Sequence, residues 1–205
     1  QELVIKLFCA NLDNMDKSMI AVIRLTVLSV LFLTASTSFS RDSDDTIGGN
    51  FQLTAHTGKP FELSDIHGKV GVIFFGFTHC PDVCPTTMLE IQRLLVSLGE
   101  DANKVQVLFI SVDPKRDTPD KLDTYVTYFN KDIIGLTGTI EEIGSVLEQY
   151  HATVSFTGDT SGDNYSVEHN ANIFLNNREG QVGSIILPRT PYPVFEQQVR
   201  KLISQ

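Results

Sequence analysis

Apolar and polar positions follow three kinds of pattern along this chain, and each predicts an element. Alternation in Asn50-Phe51-Gln52-Leu53-Thr54 and in Phe61-Glu62-Leu63, split by a turn around Thr57-Gly58-Lys59-Pro60, predicts a short hairpin. Val70 to Phe77 is a nearly unbroken apolar run, as expected of a strand buried on both faces, and Val105 to Val112 repeats it. After Cys84, the residues Leu89, Ile91, Leu94, Leu95 and Leu98 recur at helical spacing. Thr118-Pro119-Asp120 reads as a cap with Pro at the first helical position, and Glu141 to Tyr150 as a further helix. Ala171 to Leu175 and Gln181 to Ile186, joined through Asn176-Asn177-Arg178-Glu179-Gly180, form a second hairpin, and a last helix runs from about Pro193 to Ser204.

Strand, helix, strand, helix, then hairpin and helix describe an α/β sandwich around a mixed central sheet. With a cysteine motif between the first core strand and its helix, this order looks like a thioredoxin-like fold. The N-terminal hairpin and the long segment 131–170, lying before the last hairpin, read as insertions into it.

Residues 1–39 read differently. From Met19 they carry Arg24, an apolar stretch from Leu25 to Leu33, and then small residues from Thr34 to Ser38, the plan of a secretory signal. The stretch is shorter than the ~20 residues of a membrane span, although a tilted anchor stays open. We therefore divide the chain into an N-terminal extension with a signal peptide or membrane anchor (1–39), a polar linker (40–49) and a folded domain (50–205). Export puts that domain in an oxidising compartment, expected here to be the periplasm, free after cleavage or anchored to the inner membrane. The net charge of −9 makes nucleic acid or an anionic lipid surface a poor partner.

Cys80 and Cys84, in His79-Cys80-Pro81-Asp82-Val83-Cys84-Pro85, are the chemistry-bearing pair; the third cysteine, Cys9, lies upstream of the predicted signal. Their spacing at a helix start sets the two Cα atoms about 6 Å apart, inside the ~4.4–6.8 Å window for a disulfide, and equally lets both sulfurs hold one metal ion. Helix N-terminal amides favour thiolate over thiol. Three intervening residues, rather than the two common in thiol–disulfide exchange enzymes, leave room for a soft metal between the sulfurs. Zinc sites and iron–sulfur clusters ordinarily take four ligands, whereas two thiolates and one imidazole satisfy copper.

Of the five histidines, His56 and His67 fall in turns and are expected in solvent, His79 points away from the helix, and His151 ends a helical segment. His169 lies just before the strand of the last hairpin, in the loop that packs against the active helix start of a thioredoxin-type fold. It is the candidate third ligand.

Phe75-Gly76-Phe77-Thr78-His79-Cys80-Pro81-Asp82-Val83-Cys84-Pro85, the later Ile110-Ser111-Val112-Asp113-Pro114-Lys115-Arg116-Asp117-Thr118-Pro119, and Ile134 to Thr139 together resemble the Sco/SenC family of copper-binding thioredoxin-fold proteins. The resemblance implies copper, as Cu(I) or Cu(II), held by Cys80, Cys84 and His169. It also implies a copper-receiving partner, the dinuclear copper site in subunit II of cytochrome c oxidase, and a membrane-tethered protein. Asp113 is implied near the site, in docking or in tuning the metal, with a capped turn before Pro114 as the plain alternative. The chain departs from the family pattern at Glu168, where Asp is usual, and in Asn170-Ala171-Asn172.

These residues predict a copper chaperone or assembly factor, with Cys80 and Cys84 also able to act as a redox dithiol. The competing readings are a thiol–disulfide reductase or peroxidase working without metal, and a copper- or redox-sensing module.

Overall fold

The computed structural model describes residues 47–205. The leader or anchor expected over residues 1–39 and most of the expected linker lie outside the described residues. Among the described residues, no helix is long and apolar enough to cross a membrane.

The elements run β1 (Gln52–Ala55), β2 (Pro60–Glu62), β3 (Val70–Gly76), α1 (Val83–Leu98), β4 (Val105–Ser111), α2 (Pro119–Phe129), β5 (Ile134–Thr137), α3 (Ile140–Gln149), β6 (Val154–Gly158), β7 (Tyr165–His169), β8 (Ile173–Asn176), β9 (Val182–Ile186) and α4 (Tyr192–Ile203). Seven strands form one sheet in the order β2-β1-β5-β4-β3-β8-β9. Its centre, β3, β4 and β5, is parallel; antiparallel ribbons flank it on both sides. Every residue of β3 is buried, which is what its unbroken apolar run requires. β6 and β7 pair only with each other.

Segment 131–170 is therefore only partly an insertion. β5 pairs with β4 on one side and β1 on the other, and α3 sends Ile143, Val146 and Leu147 into the core. The added piece is the β6–β7 hairpin. A four-residue strand whose partners lie far along the chain leaves no local periodicity by which to tell it from a loop. The same pairing corrects His56: it is half-buried rather than solvated, because the turn after β1 lies against β5 and its Nδ1 accepts the Gly135 N–H at 2.9 Å. His67 is exposed as expected.

In α1 the buried positions are Cys84, Met88, Ile91, Leu94 and Leu98. Leu89, one of the apolar residues at helical spacing, is 53% exposed. At 100° per residue it sits about 140° around the helix from Cys84, and Cys84 faces inward.

Two consequences of the sheet position the site. β3 and β4 run in register from Val70↔Val105 to Gly76↔Ser111, so the loops that leave them start side by side at the carboxyl end of the sheet. That edge is where open α/β sheets commonly build sites. Gly76 is required at the exit of β3, because a Cβ there would lie 2.8 Å from the Phe109 ring.

Candidate metal centre

The cysteine loop leaves β3 through buried Phe77, turns at Cys80 and becomes α1 at Val83. Cys84 is thus the second residue of the helix, whereas Cys80 precedes it rather than sharing its first turn. The sulfur of Cys80 nevertheless comes back onto the helix end: the Cys84 N–H donates to Cys80 Sγ at 3.3 Å. Asp82 occupies the cap position without a side-chain capping bond. A cysteine sulfur therefore satisfies one of the free amides that begin the helix.

The two sulfurs differ in environment. Cys80 is half-buried, and Cys84 is wholly buried. Burial, reinforced by the neighbouring Cys80 sulfur, pushes the Cys84 thiol well above its ordinary value. The helix-end amides that favour thiolate are outweighed at this position by desolvation, so in the metal-free dithiol form Cys84 keeps its proton.

His169 ends β7 and reaches the same point from the other side. Its Nε2 lies 3.4 Å from Cys84 Sγ, and its Nδ1 lies 2.9 Å from the Asn170 carbonyl oxygen. A carbonyl only accepts, so Nδ1 carries the proton and the Nε2 lone pair faces the sulfurs. The rings of Phe74 and Phe77 meet the imidazole edge-on, with centroids 6.2 and 5.8 Å away. Burial lowers the His169 pKa, partly offset by the Asn170 hydrogen bond, and favours the neutral ring.

Cys80 Sγ, Cys84 Sγ and one His169 nitrogen all lie within 4.8 Å of one another. Ligand bonds of ~2.0–2.3 Å meeting at trigonal angles leave donors about 3.5–4 Å apart, so only a small contraction would let the three enclose one ion. Two sulfurs and an imidazole suit a soft or borderline metal. A ligating histidine ordinarily anchors its second nitrogen on a carbonyl or carboxylate, and the Asn170 carbonyl supplies that anchor.

The remaining histidines stand apart from this group. His79 is exposed, with Nδ1 3.2 Å from the Thr78 hydroxyl and 3.8 Å from Asp117. His151 is exposed, just beyond α3. Asp113 is 1% exposed and accepts hydrogen bonds from Arg116 Nε and the Tyr165 hydroxyl. It is committed inside the protein and is not a docking group. Two contributors escaped the sequence reading. The Asn170 carbonyl carries no residue-type signal, and Asp117, which accepts hydrogen bonds from Thr78, stands in a segment that carries the family resemblance but assigns it no role of its own.

The family described as SCO1/SenC matches residues 40–204. Mitochondrial protein SCO2 of Saccharomyces cerevisiae is 43% identical over 140 residues, which are 66% of this chain and 46% of the yeast protein, so the match spans less than half of that relative. The solved structure of Arabidopsis thaliana ScoI with copper bound is 34% identical, covers 78% of this chain and 99% of its own, and has a TM-score of 0.71. That of Bradyrhizobium japonicum ScoI with copper bound is 39% identical, covers 76% and 97%, and has a TM-score of 0.68. The fold thus recurs in relatives matched over nearly all of the described residues, and this chain belongs to the SCO1/SenC family.

Proposed function

We propose that this protein binds copper at Cys80, Cys84 and His169 and hands it to a partner, as an assembly factor for a copper site. The observation that carries the reading is the neutral, outward-anchored imidazole whose free Nε2 faces a buried thiol beside a half-buried one. The copper bound by the A. thaliana and B. japonicum relatives supports the choice of metal. Membership of the SCO1/SenC family supports the receiver, a copper site of cytochrome c oxidase, and more narrowly its subunit II. An export leader or anchor over residues 1–39 and a periplasmic location fit that receiver.

Copper is cargo in this account. Binding displaces the thiol protons of Cys80 and Cys84, because thiolate is the ligand form. His169 arrives already neutral and gives up no proton. Cys80 is the sulfur a partner can reach, so an incoming cysteine replaces it first, while Cys84 retains the ion until a second partner ligand binds. Each step exchanges one soft ligand for another.

A second reading has its own observation. A half-buried sulfur beside a wholly buried one is also the arrangement of an attacking and a resolving thiol. As a reductase, Cys80 would attack a partner disulfide and release one partner thiolate. Cys84 would then displace the second, leaving a Cys80–Cys84 disulfide and a two-electron-reduced partner.

Anaerobic titration of the reduced protein with copper separates the readings. The copper reading expects one equivalent bound per chain, lost in Cys80→Ser and in Cys84→Ser. Turnover of a disulfide substrate, with no stoichiometric copper bound by the wild type, would contradict it.

A further inference from the structure

The loop between β4 and α2 carries two buried carboxylates, and each braces a different half of the centre. Asp117, fully buried, holds the cysteine side. Its Oδ1 accepts the Thr78 hydroxyl at 2.6 Å, and its Oδ2 accepts the Thr78 amide at 3.0 Å and the Ser111 hydroxyl at 2.7 Å. Thr78 lies two residues before Cys80, so this carboxylate pins the strand exit from which the cysteine loop springs.

Asp113 and Arg116 hold the histidine side. Asp113 accepts from Arg116 Nε and from the Tyr165 hydroxyl. Arg116 Nη1 donates to the carbonyls of Asp163 and Tyr165, both at 3.1 Å, and the guanidinium lies 3.8 Å above the Tyr165 ring. Tyr165 begins β7 and His169 ends it; four residues apart on a strand, they share a face. Lys115 adds hydrogen bonds to the carbonyls of Thr160 and Gly162 at the hairpin tip.

The β6–β7 hairpin needs such bracing. It is a two-stranded ribbon outside the main sheet, and most of its residues are exposed or half-buried. A ribbon of that size is marginal alone in water. A buried ion pair such as Asp113–Arg116 is weak support for stability in general, since apolar groups of equal volume often serve as well. What it supplies is a fixed geometry.

We propose that Asp117 and Arg116 are positioning residues for the metal centre. Asp117 sets Cys80, Arg116 sets His169 through Tyr165, and a single loop thereby fixes the separation of sulfur and imidazole. This inference rests on the proposed copper site. Two sulfurs alone satisfy Cu(I), whereas Cu(II) calls on the imidazole, so loosening Arg116 acts on Cu(II) selectively. Loosening Asp117 acts on both oxidation states, because Cys80 is a ligand to each.

The test is a double-mutant cycle on the full chain, reading Cu(I) and Cu(II) affinity by competition and the sulfur-to-Cu(II) charge-transfer absorption. Arg116→Gln is expected to lower Cu(II) affinity by about 10-fold or more and to shift the charge-transfer band, with Cu(I) affinity nearly unchanged. In a His169→Ala background, Arg116→Gln should have no further effect on Cu(II). Asp117→Asn should weaken both ions. Should Arg116→Gln fail to fold by circular dichroism, Tyr165→Phe removes one hydroxyl from the same brace and should show the same selectivity at smaller size.

An Arg116→Gln effect undiminished in the His169→Ala background, or an unchanged Cu(II) affinity and band, would overturn the proposal. A readout without metal separates its failure from that of the copper reading. In the apo protein, amide hydrogen exchange at Val167, Glu168 and His169 should rise in Arg116→Gln. Unaltered exchange there refutes the brace, whereas a wild type that binds no copper refutes the proposed function instead.

Discussion

Nε2 of His169 lies 3.4 Å from Sγ of Cys84, across 85 residues of sequence. Neither residue reaches the other by local structure. Cys84 is placed by the turn that ends β3 and starts α1, and His169 by a ribbon that leaves the main sheet and returns to it at β8. The imidazole arrives oriented, its Nδ1–H spent on the Asn170 carbonyl and its faces confined by Phe74 and Phe77. A soft ion would find two sulfurs and a free nitrogen lone pair with little reorganisation.

This relationship predicts different roles for His169 toward the two oxidation states. His169→Ala should lower Cu(II) affinity by at least about 10-fold, since the loss of groups that merely support a ligand already costs that much. Cu(I) affinity should change little, because both sulfurs remain. Competition titrations with chelators selective for each ion provide the measurement; an equal loss for both ions would assign His169 another role.

The unequal burial of the sulfurs predicts an order of reaction. In the reduced, metal-free protein, iodoacetamide should modify Cys80 well before Cys84, which is enclosed and holds its proton. Peptide mapping by mass spectrometry after brief alkylation reads the order directly. Cys84 labelled first would contradict the structure at the site itself.

Much of this was legible in the sequence, for identifiable reasons. Buried parallel strands must be apolar throughout, so β3 and β4 stood out as runs. α2 announced itself through Thr118, whose hydroxyl oxygen does accept the Lys121 N–H, and Pro119 behind it. The cysteine pair was visible because its spacing is chemistry. What stayed hidden depends on distant partners: β5 is a strand only because β4 and β1 lie on either side, and His56 is half-buried for the same reason. The sequence assigns no role to Arg116 or Asp117; Asp117 is buried where the β3 and β4 exits meet, and Arg116 beneath the β6–β7 hairpin.

Tyr150 predicts how stability responds to alkali. It is 1% exposed, packs edge-on against Phe75 and Phe174, and accepts a hydrogen bond from Asn176 Nδ2 at 3.0 Å. Burial pushes its pKa from 10.0 up to about 12. Between those values the unfolded chain releases the proton and the folded chain keeps it. The share of stability that Tyr150 contributes is therefore fully present below pH 10 and lost progressively up to about pH 12, about 2–3 kcal/mol from this one group. Urea unfolding on either side of this window should show the loss in the wild type and a smaller one in Tyr150→Phe. Equal losses in the two would place the titrating group elsewhere.

The central claim is that one imidazole joins two sulfurs around a single copper ion, and X-ray absorption at the copper edge of the loaded protein tests it most directly. The account predicts two sulfur scatterers and one nitrogen scatterer for Cu(II), with the nitrogen contribution lost in His169→Ala. A wild-type spectrum with two sulfurs and no histidine nitrogen, or one identical in His169→Ala, would contradict it.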